Sequence, residues 1–180
     1  MRNLLPIALI TTSIFSTSAF AGDWYVSYTN DEMRNTSTKF MGITSTNTEE
    51  FNFPYQGGSK LLITLRSDKT ELKPDQKPSD LKLKEAMVII SKGMFTCQSY
   101  DNCFVSAKFD NNPIEKYTVL KPTDHSSNVY FIKNEKKFIK QIMESKKLII
   151  EATFYKEGSK QFKFNLEGFD QPNLSEETSS

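Results

Sequence analysis

Asp124-His125-Ser126 places the three residue types of a hydrolytic triad side by side. Such a triad is defined in space, and sequence neighbours do not point at one another. No Gly-x-Ser-x-Gly elbow accompanies it. Pro122 to Ser127 reads as a turn, so water is the expected partner of His125. It is the single histidine, which removes most imidazole-based metal chemistry. Paired carboxylates could cleave glycosidic bonds, but the 22 acidic residues lie mostly at turns and strand ends, with no pair marked out. Gln56-Gly57-Gly58-Ser59 precedes a strand and lacks the helix start that would cradle a phosphate. Neither a catalytic residue nor a cofactor or metal ligand is assigned, and the chain is read as a non-enzyme.

Cys97 and Cys103 are the only cysteines. Redox chemistry at a helix start favours Cys-x-x-Cys, and these two stand farther apart. The even count and an exported address favour a structural disulfide closing a turn. The export address comes from residues 1–21. Arg2 gives a positive start, Leu4–Phe15 an apolar run too short to span a bilayer, and Ala19-Phe20-Ala21 a cleavage site. Cleavage after Ala21 is expected, with no transmembrane segment in the mature chain. The location expected is periplasmic, with secretion as the alternative.

Two surfaces are candidates for binding. Lys133, Lys136, Lys137 and Lys140 cluster on and beside an expected helix and would suit an acidic partner, although a solvated helix face is the simpler reading. Phe51, Phe53 and Tyr55 could line a groove, with packing against the sheet as the simpler role. Without Arg2 the mature chain carries 22 Lys+Arg against 22 Asp+Glu, which argues against nucleic acid as a partner. The same balance argues against a strongly charged membrane-surface protein.

The elements that must position these residues are mostly strands. The chain has 14 Phe and 7 Tyr, which suit pleated surfaces. Alternation predicts strands at 23–29, 38–44, 60–66, 104–109, 115–120, 127–132, 148–155 and 161–166. Residues 85–91 are apolar on both faces and read as a central, buried strand. Gly93 ends or bulges it, and the cysteine bridge is placed across a hairpin end. Residues 67–84 hold Lys, Asp, Pro74 and Pro78 and read as a mobile loop. Residues 135–146 form the helix, with Asn134 as its cap, Phe138, Ile139, Ile142 and Met143 as its apolar stripe, and Lys146 and Lys147 at its end. The fold class is mainly β: an antiparallel sandwich or barrel of about nine to ten short strands with one amphipathic helix. It occupies one domain, residues 22–169, followed by a disordered acidic tail, residues 170–180.

Asp23-Trp24-Tyr25-Val26, Pro54-Tyr55-Gln56-Gly57-Gly58, Leu65-Arg66, Gly93-Met94-Phe95-Thr96-Cys97 with Cys103, Lys108-Phe109-Asp110 and the run Phe162 to Gly168 together resemble small exported proteobacterial proteins. Type VI secretion-associated accessory proteins and invasion-associated locus B proteins are similar in outline. The resemblance implies a periplasmic or secreted β-sandwich with one disulfide and a binding or assembly role, and it carries over no catalytic residue. The functional expectation is an exported, non-catalytic envelope module that binds another envelope or secreted protein, as an accessory of a secretion or conjugation system. A secreted inhibitor or effector is the alternative, and an envelope hydrolase ranks below both.

Overall fold

Period-two alternation builds nearly every element. β1 (Tyr25–Asp31), β2 (Thr36–Thr44), β3 (Leu61–Ser67), β4 (Thr70–Glu71), β5 (Leu83–Ile90), β6 (Phe104–Phe109), β7 (Glu115–Leu120) and β8 (Val129–Ile132) precede the helix α1 (Glu135–Glu144). β9 (Lys147–Phe154), β10 (Gly158–Asn165) and β11 (Asn173–Leu174) follow it. These elements come from a computed structural model that describes residues 23–97, 103–170 and 173–174. The expected export signal with its cleavage site, the turn expected within 98–102 and most of the acidic tail lie outside the described residues.

The strands follow one hydrogen-bonded order, β10-β9-β6-β7-β8-β5-β3-β2-β1-β11, with β4 paired to β2 off that path. All pairs are antiparallel except β1 with β11. β7 and β8 share only Val119↔Ile132 and Leu120↔Phe131. There the sheet folds over into two facing layers around one core. Met41, Ile43, Leu61, Ile63, Leu65, Val88 and Ile90 face Val105, Ala107, Phe109, Ile150, Phe154, Phe162 and Phe164 across it. The expected antiparallel β architecture with one helix is what the chain adopts, and the sheet does not close into a barrel.

The two ends of the sheet meet without forming a ladder. Trp24 Nε1 donates to Leu166 O at 3.1 Å, and the Trp24 ring meets Phe169 edge-on at 5.0 Å. The outer edge of β10 is met by the segment after β2. Thr46 N donates to Lys163 O at 2.7 Å. The Asn47 side-chain amide then mimics a strand peptide, donating to Gln161 O at 2.9 Å and accepting from Lys163 N at 2.7 Å. A free strand edge invites pairing with other chains, and this side chain occupies it.

Residues 67–84, read from sequence as a mobile loop, carry β4 and a 3₁₀ turn at Pro78–Asp80, and they bury Leu81. β4 pairs with Thr36 and Ser37, and Lys39 Nζ donates to Ser79 O at 2.8 Å. One buried leucine and one edge pairing, set among polar residues, leave little periodic signal in the sequence.

Helix α1 buries Phe138, Ile139 and Ile142, with Phe138 edge-on to Phe109 and Tyr117 at 5.7 and 5.1 Å. Two expectations are corrected here. Met143 is 58% exposed, because Phe138, Ile139 and Ile142 take the places against the core and Met143 is left on the groove beside β5. Asn134 makes no side-chain cap, and its backbone carbonyl accepts from Phe138 N instead. Past the helix end, Asp110 accepts from Lys146 N and Lys147 N, which anchors the turn into β9.

Cys97 and Cys103 form a disulfide with Cα atoms 5.0 Å apart. The bridge does not cross a hairpin end as expected, because β6 pairs with β7 and β9 and not with β5. Phe95 N donates to Ser127 O and Thr96 N to Thr153 O, while Cys103 O accepts from Val119 N. The bridge thus ties the chain leaving one layer to the strand that starts the other. The Tyr130 hydroxyl lies 2.9 Å from Cys97 Sγ, and burial pushes its pKa up to about 12. Replacing both cysteines by alanine is expected to lower unfolding free energy by about 1–3 kcal/mol without loss of the fold, since the closed loop is short and the core is large. Urea unfolding of the double variant beside the parent checks this, and loss of the native circular dichroism spectrum in buffer is the contrary result.

Candidate functional site

The residues named from sequence as chemically able do not assemble. His125 is exposed in a left-handed turn at φ 62°. The Asp124 carboxylate accepts from Ser126 N at 2.9 Å, and that bond holds its pKa below the usual carboxylate range. It is engaged by its own turn and makes no hydrogen bond to His125 among those seen. Among the described residues, no three of His, Cys, Asp and Glu come close enough to hold a metal. Gly57 and Gly58 have positive φ, as the turn reading requires. Gly58 N donates to the Glu50 carboxylate, so a protein acidic group takes up this amide.

What the fold assembles instead is a ring of grooves around α1. One, of about 510 Å³, has a floor of Leu83, Ile139 and Met143 between the helix and β5. Lys82, Lys84, Lys136 and Lys140 form its rim, with Asp68, Glu85 and Glu135 among them. Two of the three acids are ion-paired, and Glu135 makes no ion pair among the described residues. Asp68 is bound by Lys84, and Glu85 by Arg66. Lys140 lies 3.8 Å from Glu144. Lys82, Lys133 and Lys136 are exposed and make no ion pair among the described residues. A second groove, of about 460 Å³, continues past Glu85 and Glu135 over Leu120, Pro122, Phe131 and Lys133.

Of the lysines named from sequence, Lys133 and Lys136 line these grooves as uncompensated cations. Lys140 borders the apolar floor. Lys137 turns the other way, onto Glu115 at 2.5 Å. There Glu115, Gln141 and the Tyr117 hydroxyl form a hydrogen-bonded network between β7 and the helix. The bond from Lys137 holds the Glu115 carboxyl below its ordinary range, and burial raises the Tyr117 pKa. Lys137 is therefore engaged between the helix and β7. Sequence reasoning missed Lys82, which immediately precedes β5, and Leu83, which opens it. The sequence offered only Met143 as part of the helix stripe, and its 58% exposure is a finding of the structure.

The aromatic triplet is split by the fold. Phe51 is buried, its ring 5.1 Å from Phe154, and is unavailable to a partner. Tyr55 is half-buried against the core. Phe53 alone projects, 82% exposed. No strand runs through this segment: the chain turns at Phe53, closed by Tyr55 N donating to Asn52 O at 2.9 Å, so Phe51 and Phe53 do not share a face as they would in a strand.

No helix among the described residues is long and apolar enough to cross a membrane. No protein-family model matches the chain, and no curated protein matches it. Among solved structures, it is similar to the crystal structure of invasion associated protein B from Bartonella henselae at 12% identity, covering 86% of this chain and 92% of that one, with a TM-score of 0.45. That is a loose likeness of fold.

Proposed function

We propose that the protein is an exported, non-catalytic binding module of the cell envelope, working in the periplasm as an accessory of a secretion or conjugation machine, and that it docks another protein through the groove beside α1. One observation carries this reading: the apolar floor of Leu83, Ile139 and Met143 lies open beside Lys82 and Lys136, which have no ion pair among the described residues. Exposed methionine beside apolar residues, rimmed by charge, is the composition of an adaptable binding surface. The partner is a segment with an apolar side chain for the floor and carboxylates for the rim.

A photo-crosslinking residue at Met143, with one at Lys108 on the outer face of β6 as control, tests this in intact cells. A discrete adduct is expected from position 143 and not from position 108. The Lys136→Glu/Lys140→Glu variant is expected to lower that adduct about tenfold or more, since opposite rim charges set encounter and register. Both lysines are exposed, so folding should be unaffected. An adduct that survives charge reversal unchanged, or none at all, contradicts the reading.

A further inference from the structure

The end of the sandwich formed by the loop after Phe51, the bend at Gly93 and the β9–β10 turn is held together by direct contacts. Asn52 N and Nδ2 donate to the Glu157 carboxylate at 2.9 and 3.0 Å. Tyr155 N donates to Met94 O at 2.8 Å. Lys92 Nζ reaches Gln56 O and Gly57 O at 3.2 and 3.3 Å. This frame presents two aromatic rings to solvent, Phe53 at 82% and Tyr155 at 50% exposure. Phe53 has no freedom to fold back, because Phe51 before it is in the core and Tyr55 N after it is bonded to Asn52 O.

The charges around these rings are sorted. Lys60, Lys92, Lys156 and Lys160 make no ion pair among the described residues. Lys156 stands over the Tyr155 ring at 5.3 Å, and Lys160 over Phe51 at 5.9 Å. The three carboxylates here all bond amides of the same loops: Glu49 takes Asn47 Nδ2, Glu50 takes Gly58 N and Glu157 takes Asn52. The main grooves of the surface lie elsewhere, around α1 and on the outer face of β6, β9 and β10. A protruding apolar tip, on loops where four lysines outnumber three amide-bonded carboxylates, suits the surface of an anionic bilayer.

We infer that this end of the molecule docks on an anionic lipid bilayer, with Phe53 entering the headgroup–acyl boundary, Tyr155 at headgroup depth and the four lysines on lipid phosphates. Aromatic rings favour that boundary, and each lysine near an anionic surface strengthens binding about fivefold. The near-zero net charge of the mature chain does not oppose this, since only charges within a Debye length of the surface count. This surface is separate from the α1 groove and does not depend on its role.

Mature protein is sedimented with vesicles of phosphatidylethanolamine containing about 30% phosphatidylglycerol, and with phosphatidylcholine vesicles as the neutral control. Binding to the anionic vesicles only is expected, with loss as salt rises from about 0.1 to about 1 M. Phe53→Ser is expected to weaken it about tenfold, as is Lys156→Glu/Lys160→Glu, while Lys136→Glu/Lys140→Glu leaves it unchanged. Trp24 fluorescence verifies that each variant is folded. In Phe53→Trp, a blue-shifted emission component should appear only with anionic vesicles. Absence of binding at low salt, equal binding to neutral vesicles, or equal loss in the α1 variant would overturn the inference. So would a position-53 crosslinker that captures one protein while vesicles are ignored.

Discussion

Replacing Phe154 by alanine is expected to remove about 3–5 kcal/mol of unfolding free energy, enough to unfold much of the population of an ordinary domain on mild heating. Phe154 is 1% exposed and lies where the aromatic contacts converge. Its ring meets Phe95 at 5.0 Å, Phe51 at 5.1 Å and Phe162 at 5.9 Å, and Phe95 stacks in turn on Tyr130 at 4.4 Å. These rings come from the loop after β2, the bend before Cys97, and strands β8, β9 and β10. Truncation leaves a cavity that no single element can fill, because each lining ring is fixed by a different backbone. Phe154→Leu keeps most of the volume and should lose about half as much, near 1.5–2.5 kcal/mol. Urea unfolding followed by circular dichroism gives both values. A loss under about 1 kcal/mol for the alanine variant would show that the aromatic cluster is not the centre of the core.

Gly93→Ala is expected to cost about 2–6 kcal/mol, through two causes that a second substitution separates. Gly93 has φ +125°, a conformation that residues with a Cβ rarely adopt, at about 1–3 kcal/mol. An added Cβ would also stand 2.4 Å from Phe51 Cε2, and forcing extra carbon into a packed core adds about 1–3 kcal/mol. Phe51 cannot swing aside, since it is buried against Phe154. In Gly93→Ala/Phe51→Leu the steric part is relieved and the backbone part remains. The pair should therefore be more stable than the sum of the two single losses implies, by about 1 kcal/mol or more. Strict additivity would mean that backbone conformation alone demands glycine there.

Much of the fold is legible in the sequence because strand alternation is a local property. Asp23 to Thr29, Lys60 to Arg66 and Gln161 to Leu166 show which side chains point inward without reference to any other segment. The double-faced apolar run around Met87, Val88 and Ile89 likewise marks β5 as central, and it lies between β3 and β8. Where readings failed, the deciding partner was remote. Asn134 suits a helix cap by type, yet its backbone at φ −100° and ψ 61° does not deliver the side chain to the helix amides. The cysteines pair, but which strands they join depends on the chain crossing between layers after Gly93, and no local pattern encodes that crossing.

The candidate sites divide in the same way. The lysines of α1 are visible in the sequence, but Lys137 is spent on Glu115, while Lys82, some fifty residues earlier, joins the same rim as Lys136. Phe51, Phe53 and Tyr55 look equivalent on paper, and only the packing of Phe51 on Phe154 separates a core ring from an exposed one. By itself the sequence determined most of the strands, the helix, most inward faces and the disulfide partners, because alternation, turn chemistry and a count of two cysteines are properties of short stretches. The tertiary structure alone decided which cations remain uncompensated and which aromatic rings reach water. Those depend on burial and ion pairing between segments far apart in the chain, which exist only once the two layers have closed on each other.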